Sequence, residues 1–316
     1  MTDLWLWVGF NTLILLLLAL DLFVFNKKPH EITTREAAIT YIVWVSIALA
    51  FGAGIYLLRG AERGLEYFAG YLIEVTLSVD NMFVFVLIFG FFRVPLRYQH
   101  RVLFWGIFGA LVMRGVMIAA GTYLIHHFHW ILYVFGAFLV FSGIRMAMHQ
   151  NDEIHPESNP VIRLVRRLFP VTADYHAEHF FVRQEIGGQL RLAATPLFVV
   201  LALVETTDLL FAVDSIPAVF AVTDDPFIVY SSNVFAILGL RALYFILADV
   251  IDRFHYLKIG LSVVLVFVGV KMLVADLYKI PIAASLGIIV LVLGASVAAS
   301  FWWPRTGDAI EAAEHD

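Results

Sequence analysis

Pro196-Leu-Phe-Val-Val-Leu-Ala-Leu-Val-Glu205-Thr-Thr-Asp208-Leu-Leu-Phe-Ala-Val-Asp214-Ser215-Ile-Pro217-Ala-Val-Phe-Ala-Val222 is an apolar run that carries three carboxylates. At about 1.5 Å per residue a helix of this length crosses a hydrocarbon core of about 30 Å, and the run is too long for a core strand. A carboxylate at the bilayer centre costs roughly 2.5–3.5 kcal/mol even on a lenient insertion scale, so acids placed there point to function. A spanning helix with intramembrane chemistry is the reading from which the rest follows.

The whole chain agrees with its central segment. Of its 316 residues 61% are hydrophobic and 15% charged, against roughly 25% charged in a soluble domain. Mean hydropathy is +0.86. A soluble core of this size could not bury so much apolar side chain, so the fold class is an all-α integral membrane protein. The net charge of −5 argues against nucleic acid as a partner. The absence of cysteine excludes disulfides, thiolate metal sites and thiol nucleophiles. The start of the chain lacks the basic flank and small-x-small site of a cleaved signal.

Nine hydrophobic segments are predicted to span: 4–25, 38–58, 67–92, 102–124, 130–148, 196–222, 228–250, 256–276 and 281–303. Trp5, Trp7, Tyr67, Trp105, Trp130, Tyr256, Trp302 and Trp303 near their ends suggest interfacial belts. The connections after spans 1, 3, 5 and 7 hold Lys27, Lys28, Arg35, Arg93, Arg97, Arg101, Arg163, Arg166, Arg167, Arg183, Arg191 and Arg253, and the C-terminal tail adds Arg305. The other side holds only Arg59, Arg63 and Lys279. This bias predicts a multi-pass protein with its N-terminus outside and its C-terminus cytoplasmic. His126, His127 and His129 then fall in a short outer loop, read as solvated.

Residues 1–316 read as a single membrane domain, interrupted by a hydrophilic cytoplasmic loop at 149–195. Within that loop Pro160 to Leu168 suggests a short amphipathic helix, with Arg163, Arg166 and Arg167 available to lipid phosphates. His179 to Ile186, Gly187-Gly188 and Gln189 to Leu192 read as strand, turn and strand, a short β-hairpin.

An internal repeat runs through the spans. Leu139-Val-Phe-Ser-Gly-Ile-Arg-Met146 returns as Leu265-Val-Phe-Val-Gly-Val-Lys-Met272 at an offset of 126. Arg114 and Arg241 are offset by 127, and Glu74-Val-Thr-Leu-Ser-Val-Asp80-Asn81 matches Asp208-Leu-Leu-Phe-Ala-Val-Asp214-Ser215 at 134. Spans 3–5 are thus expected to duplicate as spans 6–8, running in the opposite direction. Many transporters use such an inverted repeat to alternate access about a midplane site.

Glu74, Asp80, Glu205, Asp208 and Asp214 all fall inside spans, and Arg114 and Arg241 can act as structural counter-charges for at most two of them. The surplus calls for a bound cation or bound protons. At about 100° per residue Asp80 points about 120° away from the face of Glu74, Ser78 and Asn81, and Asp214 from Asp208 likewise. A local break in each helix would let the acids converge. Pro217 frees the carbonyl of Val213, while Asn81 and Ser215 offer neutral oxygens. An all-oxygen site between two broken helices suits Mn²⁺, Ca²⁺ or Mg²⁺.

These segments resemble the TerC family of integral membrane proteins, named for tellurite resistance, and within it the Alx-type members. The resemblance rests on Gly70-Tyr-Leu-Ile-Glu74, Ser78-Val-Asp80-Asn81, Glu205, Asp208, Phe211-Ala-Val-Asp214-Ser-Ile-Pro217-Ala, Thr223-Asp-Asp-Pro-Phe and Ser232-Asn-Val-Phe-Ala-Ile-Leu-Gly-Leu-Arg241. Glu178-His-Phe-Phe-Val182 adds to it. It covers nearly the whole chain and implies an inner-membrane protein linked to manganese efflux, with these acids as the functional ones.

The expected function is therefore a secondary transporter exporting Mn²⁺ by proton antiport, with no organic cofactor. Competing readings are a Ca²⁺ or other cation/proton exchanger and a non-transporting membrane stress or assembly factor. An enzyme is not expected: no nucleotide-binding loop such as GxxxxGK[ST] occurs, and no paired histidines on opposed helices suggest haem. The expected partners are the lipid bilayer, a divalent cation and protons.

Overall fold

Long apolar runs satisfy their own backbone in lipid only as helices, and the computed structural model is built from them. It describes residues 2–20, 33–128, 130–148, 160–186, 189–248 and 256–302. The elements are α1 (Thr2–Leu20), α2 (Thr34–Arg59), α3 (Ala61–Phe91), α4 (Leu96–His127), α5 (Ile131–Met148), α6 (Pro160–Leu168), β1 (Phe181–Ile186), β2 (Gln189–Ala194), α7 (Pro196–Phe220), α8 (Pro226–Leu247), α9 (Leu257–Leu273) and α10 (Ile282–Trp302). Among the described residues the nine expected spans coincide with nine long helices. Seven of these, α2, α3, α4, α5, α7, α8 and α10, are long and apolar enough to cross a bilayer.

Local chemistry sets the helix ends. Thr33 caps α2 by accepting from the Glu36 amide at 3.3 Å. Asp225 caps α8 by accepting from the Phe227 amide at 2.9 Å, with Pro226 at the first helical position. Gly60 alone separates α2 from α3, at a φ of +98° that favours glycine. Arg59 and Arg63, expected in a loop, therefore lie on helices: Arg59 reaches Asp225 at 3.1 Å, and Arg63 reaches Glu66 at 2.8 Å and Asp224 at 3.1 Å. His126 and His127 form the last turn of α4 rather than a loop, and His127 stacks on Tyr123. Tyr67 is no belt residue either. It is buried, and its hydroxyl donates to the Ala48 carbonyl. Trp5, Trp130 and Trp302 are exposed. Lys27, Lys28, His129, residues 149–159, Gly187, Gly188, Arg253, Trp303 and Arg305 lie outside the described residues.

The arrangement is an inverted repeat, and helix crossings prove it. On α5 and α9, Gly136 meets Gly269 while Gly143 meets Ser262, so the helices run antiparallel. A Cβ on Gly143 would stand 2.8 Å from the Ser262 carbonyl and 2.8 Å from Val266. A Cβ on Gly269 would stand 2.7 Å from the Gly136 carbonyl and 2.9 Å from Val140. The second set of contacts is the first with partners exchanged at an offset of 126. A two-fold axis relating antiparallel helices lies across them, hence in the plane of a membrane they cross. The same exchange holds in the centre: α3 packs on α8 at Gly70 and Ser232, and α4 packs on α7 at Gly106 and Val204. Nearly all of α8 is buried at the middle of the bundle, whereas Leu57 and Leu58 of α2 face outward. Phe10, Phe51, Tyr67, Phe227 and Phe235 tie α1 and α2 to that centre.

The long connection folds as expected in outline. α6 buries Ile162 and Val165 beneath its basic residues. β1 and β2 pair antiparallel from Phe181↔Ala194 to Ile186↔Gln189, starting two residues later and ending two later than the sequence suggests. Arg101 of α4 bonds Glu178 at 2.6 Å, and the Tyr175 hydroxyl donates to the Phe92 carbonyl at 2.8 Å. Burial pushes the Tyr175 phenol up to about 12.

Candidate cation site

The site begins with two apolar helices that each bury an acid. Glu74 of α3 is 0% exposed and Asp208 of α7 is 4% exposed. They are counterparts in the repeat, and the two-fold arrangement brings them to one cation, the guanidinium of Arg114 on α4. Arg114 is itself 1% exposed. Its Nη1 pairs with Glu74 Oε1, and its Nη2 donates to Asp208 Oδ1 at 3.3 Å. Nη1 also donates to Asn233 Oδ1 of α8 at 3.1 Å and to Ser215 Oγ of α7 at 3.4 Å. Removing one partner from a buried pair costs about 3–5 kcal/mol, so this centre holds four helices together.

The carboxylates are not saturated by it. Among the described residues, buried Glu74 Oε2 and Asp208 Oδ2 find no hydrogen-bond donor, and the nearby buried hydroxyl of Ser78 on α3 finds no partner. Asp208 also lines a cavity of about 20 Å³ with Val204, Leu240 and Arg241, enough for about one water. Arg241 of α8 also lines that cavity and approaches His100 Nε2 at 3.3 Å.

The other candidate acids are placed elsewhere. Glu205, one turn before Asp208, sets its carboxylate against Gly109 of α4, where any Cβ would collide with it, and its Oε2 finds no hydrogen-bond donor among the described residues. Asp214 accepts from Ser142 Oγ of α5 at 2.8 Å and feels the charge of Arg145. Asp80 is turned toward α9 and feels Lys258. Asn81 is buried on α3.

Two expectations are corrected here. The helices are not broken: α3 and α7 run continuously through their acids, with Pro217 one turn before the end of α7. The four acids Glu74, Asp80, Asp208 and Asp214 accordingly do not meet at one point, and among the described residues no three acidic or histidine side chains form a ready metal cluster. The physical reason is helical phase. An unbroken helix keeps residues six apart on different faces, so Glu74 and Asp208 turn to the two-fold axis while Asp80 and Asp214 turn to α9 and α5.

Several polar partners escape a reading of spans alone. Asn233 sits inside the segment Ser232–Arg241, and Ser142 inside the repeated segment 139–146; both look like small polar residues in apolar helices. Glu66 falls one residue before the third expected span. It is buried, accepts from Thr223 Oγ1 at 2.6 Å and pairs with Arg63.

The fold and the buried ionic centre define a polytopic α-helical membrane protein built on an inverted repeat. Residues 59–308 match the family described as the integral membrane protein TerC family, and the chain belongs to it. An uncharacterized membrane protein of Myxococcus xanthus is 52% identical over 93% of this chain and 91% of its own length. A protein of Escherichia coli strain K12 named putative membrane-bound redox modulator Alx is 48% identical over 94% of both chains. An uncharacterized membrane protein of Rickettsia bellii is 40% identical over 93% of this chain and 96% of its own. No solved structure gives a significant match.

Proposed function

We propose that this protein is a secondary transporter that exports divalent metal cations, Mn²⁺ foremost, in exchange for protons. The observation that carries the reading is the meeting of Glu74 and Asp208, one from each inverted repeat, with a buried oxygen of each left without a donor. Buried acids on a two-fold axis between opposed repeats suit a site reached alternately from two sides. Oxygen donors suit Mn²⁺ and Ca²⁺ over softer metals. Resemblance to manganese-efflux proteins puts Mn²⁺ first. Glu205 is the proposed proton carrier, and exchange of one Mn²⁺ for about two H⁺ avoids returning several bare like charges through a low-dielectric core.

The proposed location is the bacterial inner membrane, with the 149–195 connection and the C-terminus in the cytoplasm, as the distribution of Lys and Arg supports. The redox role in a relative's name does not extend to thiol chemistry of this chain, which has no cysteine. The test is flux in proteoliposomes containing a pH-sensitive dye. Mn²⁺ uptake with opposite proton movement is expected. Uptake that ignores collapse of the pH gradient would refute antiport, and absence of Mn²⁺, Ca²⁺ and Mg²⁺ flux would refute transport.

A further inference from the structure

The Arg114 guanidinium has two kinds of partner. Two are charged, Glu74 and Asp208, and two are neutral, Ser215 and Asn233. Of the neutral pair, Asn233 is fixed in advance. Asn233 is 0% exposed, and its amide nitrogen donates to the Val229 carbonyl at 3.0 Å, which turns its oxygen toward Arg114. Both carboxylates give one oxygen to the guanidinium and hold the other without a donor. An arginine is charged at every relevant pH, so it cannot leave such a place by losing a proton. It can leave only by moving, or by sharing.

Resting on the transporter reading above, we propose that Arg114 is a tethered competitor of the transported cation: guanidinium and cargo contend for the Glu74–Asp208 carboxylates, and cargo binding drives the guanidinium onto Ser215 and Asn233. A divalent cation between two carboxylates leaves no net negative charge for an adjacent arginine, so the two cations repel at close range. That repulsion weakens cargo binding and favours release. When the cargo goes, the guanidinium returns, and the two acids do not stand uncovered in a low-dielectric core. The competitor thus sets cargo affinity and lets the carrier turn over.

The experiment measures Mn²⁺ binding to the purified full chain in nanodiscs by isothermal titration, beside Mn²⁺ flux in proteoliposomes. Arg114→Gln should bind Mn²⁺ at least about tenfold more tightly than wild type while transporting more slowly. Asn233→Leu removes the neutral perch and should weaken binding about tenfold in wild type, yet change nothing in the Arg114→Gln background. A folded Arg114→Gln protein that binds Mn²⁺ no better than wild type overturns the proposal. So does an Asn233→Leu effect of equal size in both backgrounds. If Arg114→Gln does not fold, Asn233→Leu alone decides, since unchanged binding in that variant is equally fatal. Wild type that transports Mn²⁺ but shows no such pattern defeats this inference only. Wild type that neither binds nor moves divalent cations defeats the transporter reading and this inference with it.

Discussion

Neutralising the two repeat-related acids together should destabilise the protein by more than the sum of the single changes. Asp208→Asn keeps an oxygen for the Arg114 Nη2, which stands 3.3 Å from Asp208 Oδ1. At an effective dielectric near 20, unit charges at that separation attract by about 5 kcal/mol. Against the loss of that attraction stand the desolvation cost no longer incurred by the carboxylate, several kcal/mol, and a retained hydrogen bond of about 1 kcal/mol. The net loss is about 1–2 kcal/mol. Glu74→Gln follows the same arithmetic, because each single variant leaves Arg114 one carboxylate. The double variant leaves a buried guanidinium with neutral partners only, and an uncompensated buried charge costs about 3–5 kcal/mol. Against a sum of about 2–4 kcal/mol for the two single changes, the expected coupling is about 1 kcal/mol beyond additivity. Equilibrium unfolding in mixed micelles of the four proteins, followed by circular dichroism, measures it. An additive double variant, or one more stable than either single, would refute the view that Arg114 depends jointly on the two acids.

Further outcomes are expected. Asp80→Asn and Asp214→Asn, outside the Glu74–Asp208 centre, should each insert normally and keep most Mn²⁺-dependent growth protection; loss of protection in both would put these acids on the cation path. Gly143→Leu and Gly269→Leu should each cost about 1–3 kcal/mol by overpacking, and by similar amounts, because each faces a carbonyl of the other repeat within 3 Å. Gly54→Leu, which meets nothing within 4 Å, is the control in the same unfolding assay. Gly109→Val should displace the Glu205 carboxylate and lower proton-coupled flux without loss of folded yield; undiminished flux counts against Glu205 as carrier. Tyr175, raised by burial to about 12 in the folded chain, should give no phenolate absorbance near pH 10, where an unfolded tyrosine is half ionised. Its folded pKa exceeds its unfolded one, so its contribution to stability is full below about pH 10 and is lost as pH rises through about 12.

How far the sequence carries the argument can be seen residue by residue. Apolar length sufficed for the nine long helices, because in lipid a run of that length has few other options. The offset of 134 sufficed to match Glu74 with Asp208 and Asp80 with Asp214. What it did not reveal was which member of each pair turns inward. Helical phase forbids both from doing so unless the helix breaks. The protein keeps both helices whole and lets the pairs diverge, since Ser142, Arg145 and Lys258 on α5 and α9 give the outer acids polar surroundings. A serine or lysine on a distant helix carries no mark of that role in its own segment. Tyr67 fails as a belt residue for the same reason: its hydroxyl is satisfied by Ala48 of a neighbouring helix, a partner visible only once α2 and α3 are folded together.

The brevity of α6 has a consequence for the whole molecule. Nine residues of helix reach about 14 Å, less than half of a hydrocarbon core. The connection between the repeats therefore returns to the side from which it left. The first repeat, α3 to α5, contributes three crossings, an odd number, and among the described residues the connector contributes none, so the second copy enters upside down by parity alone. No residue of the second copy needs to specify its direction. An α6 lengthened into a full span would change the parity, set α7 parallel to α3, and remove the geometry that lets Glu74 and Asp208 share one arginine.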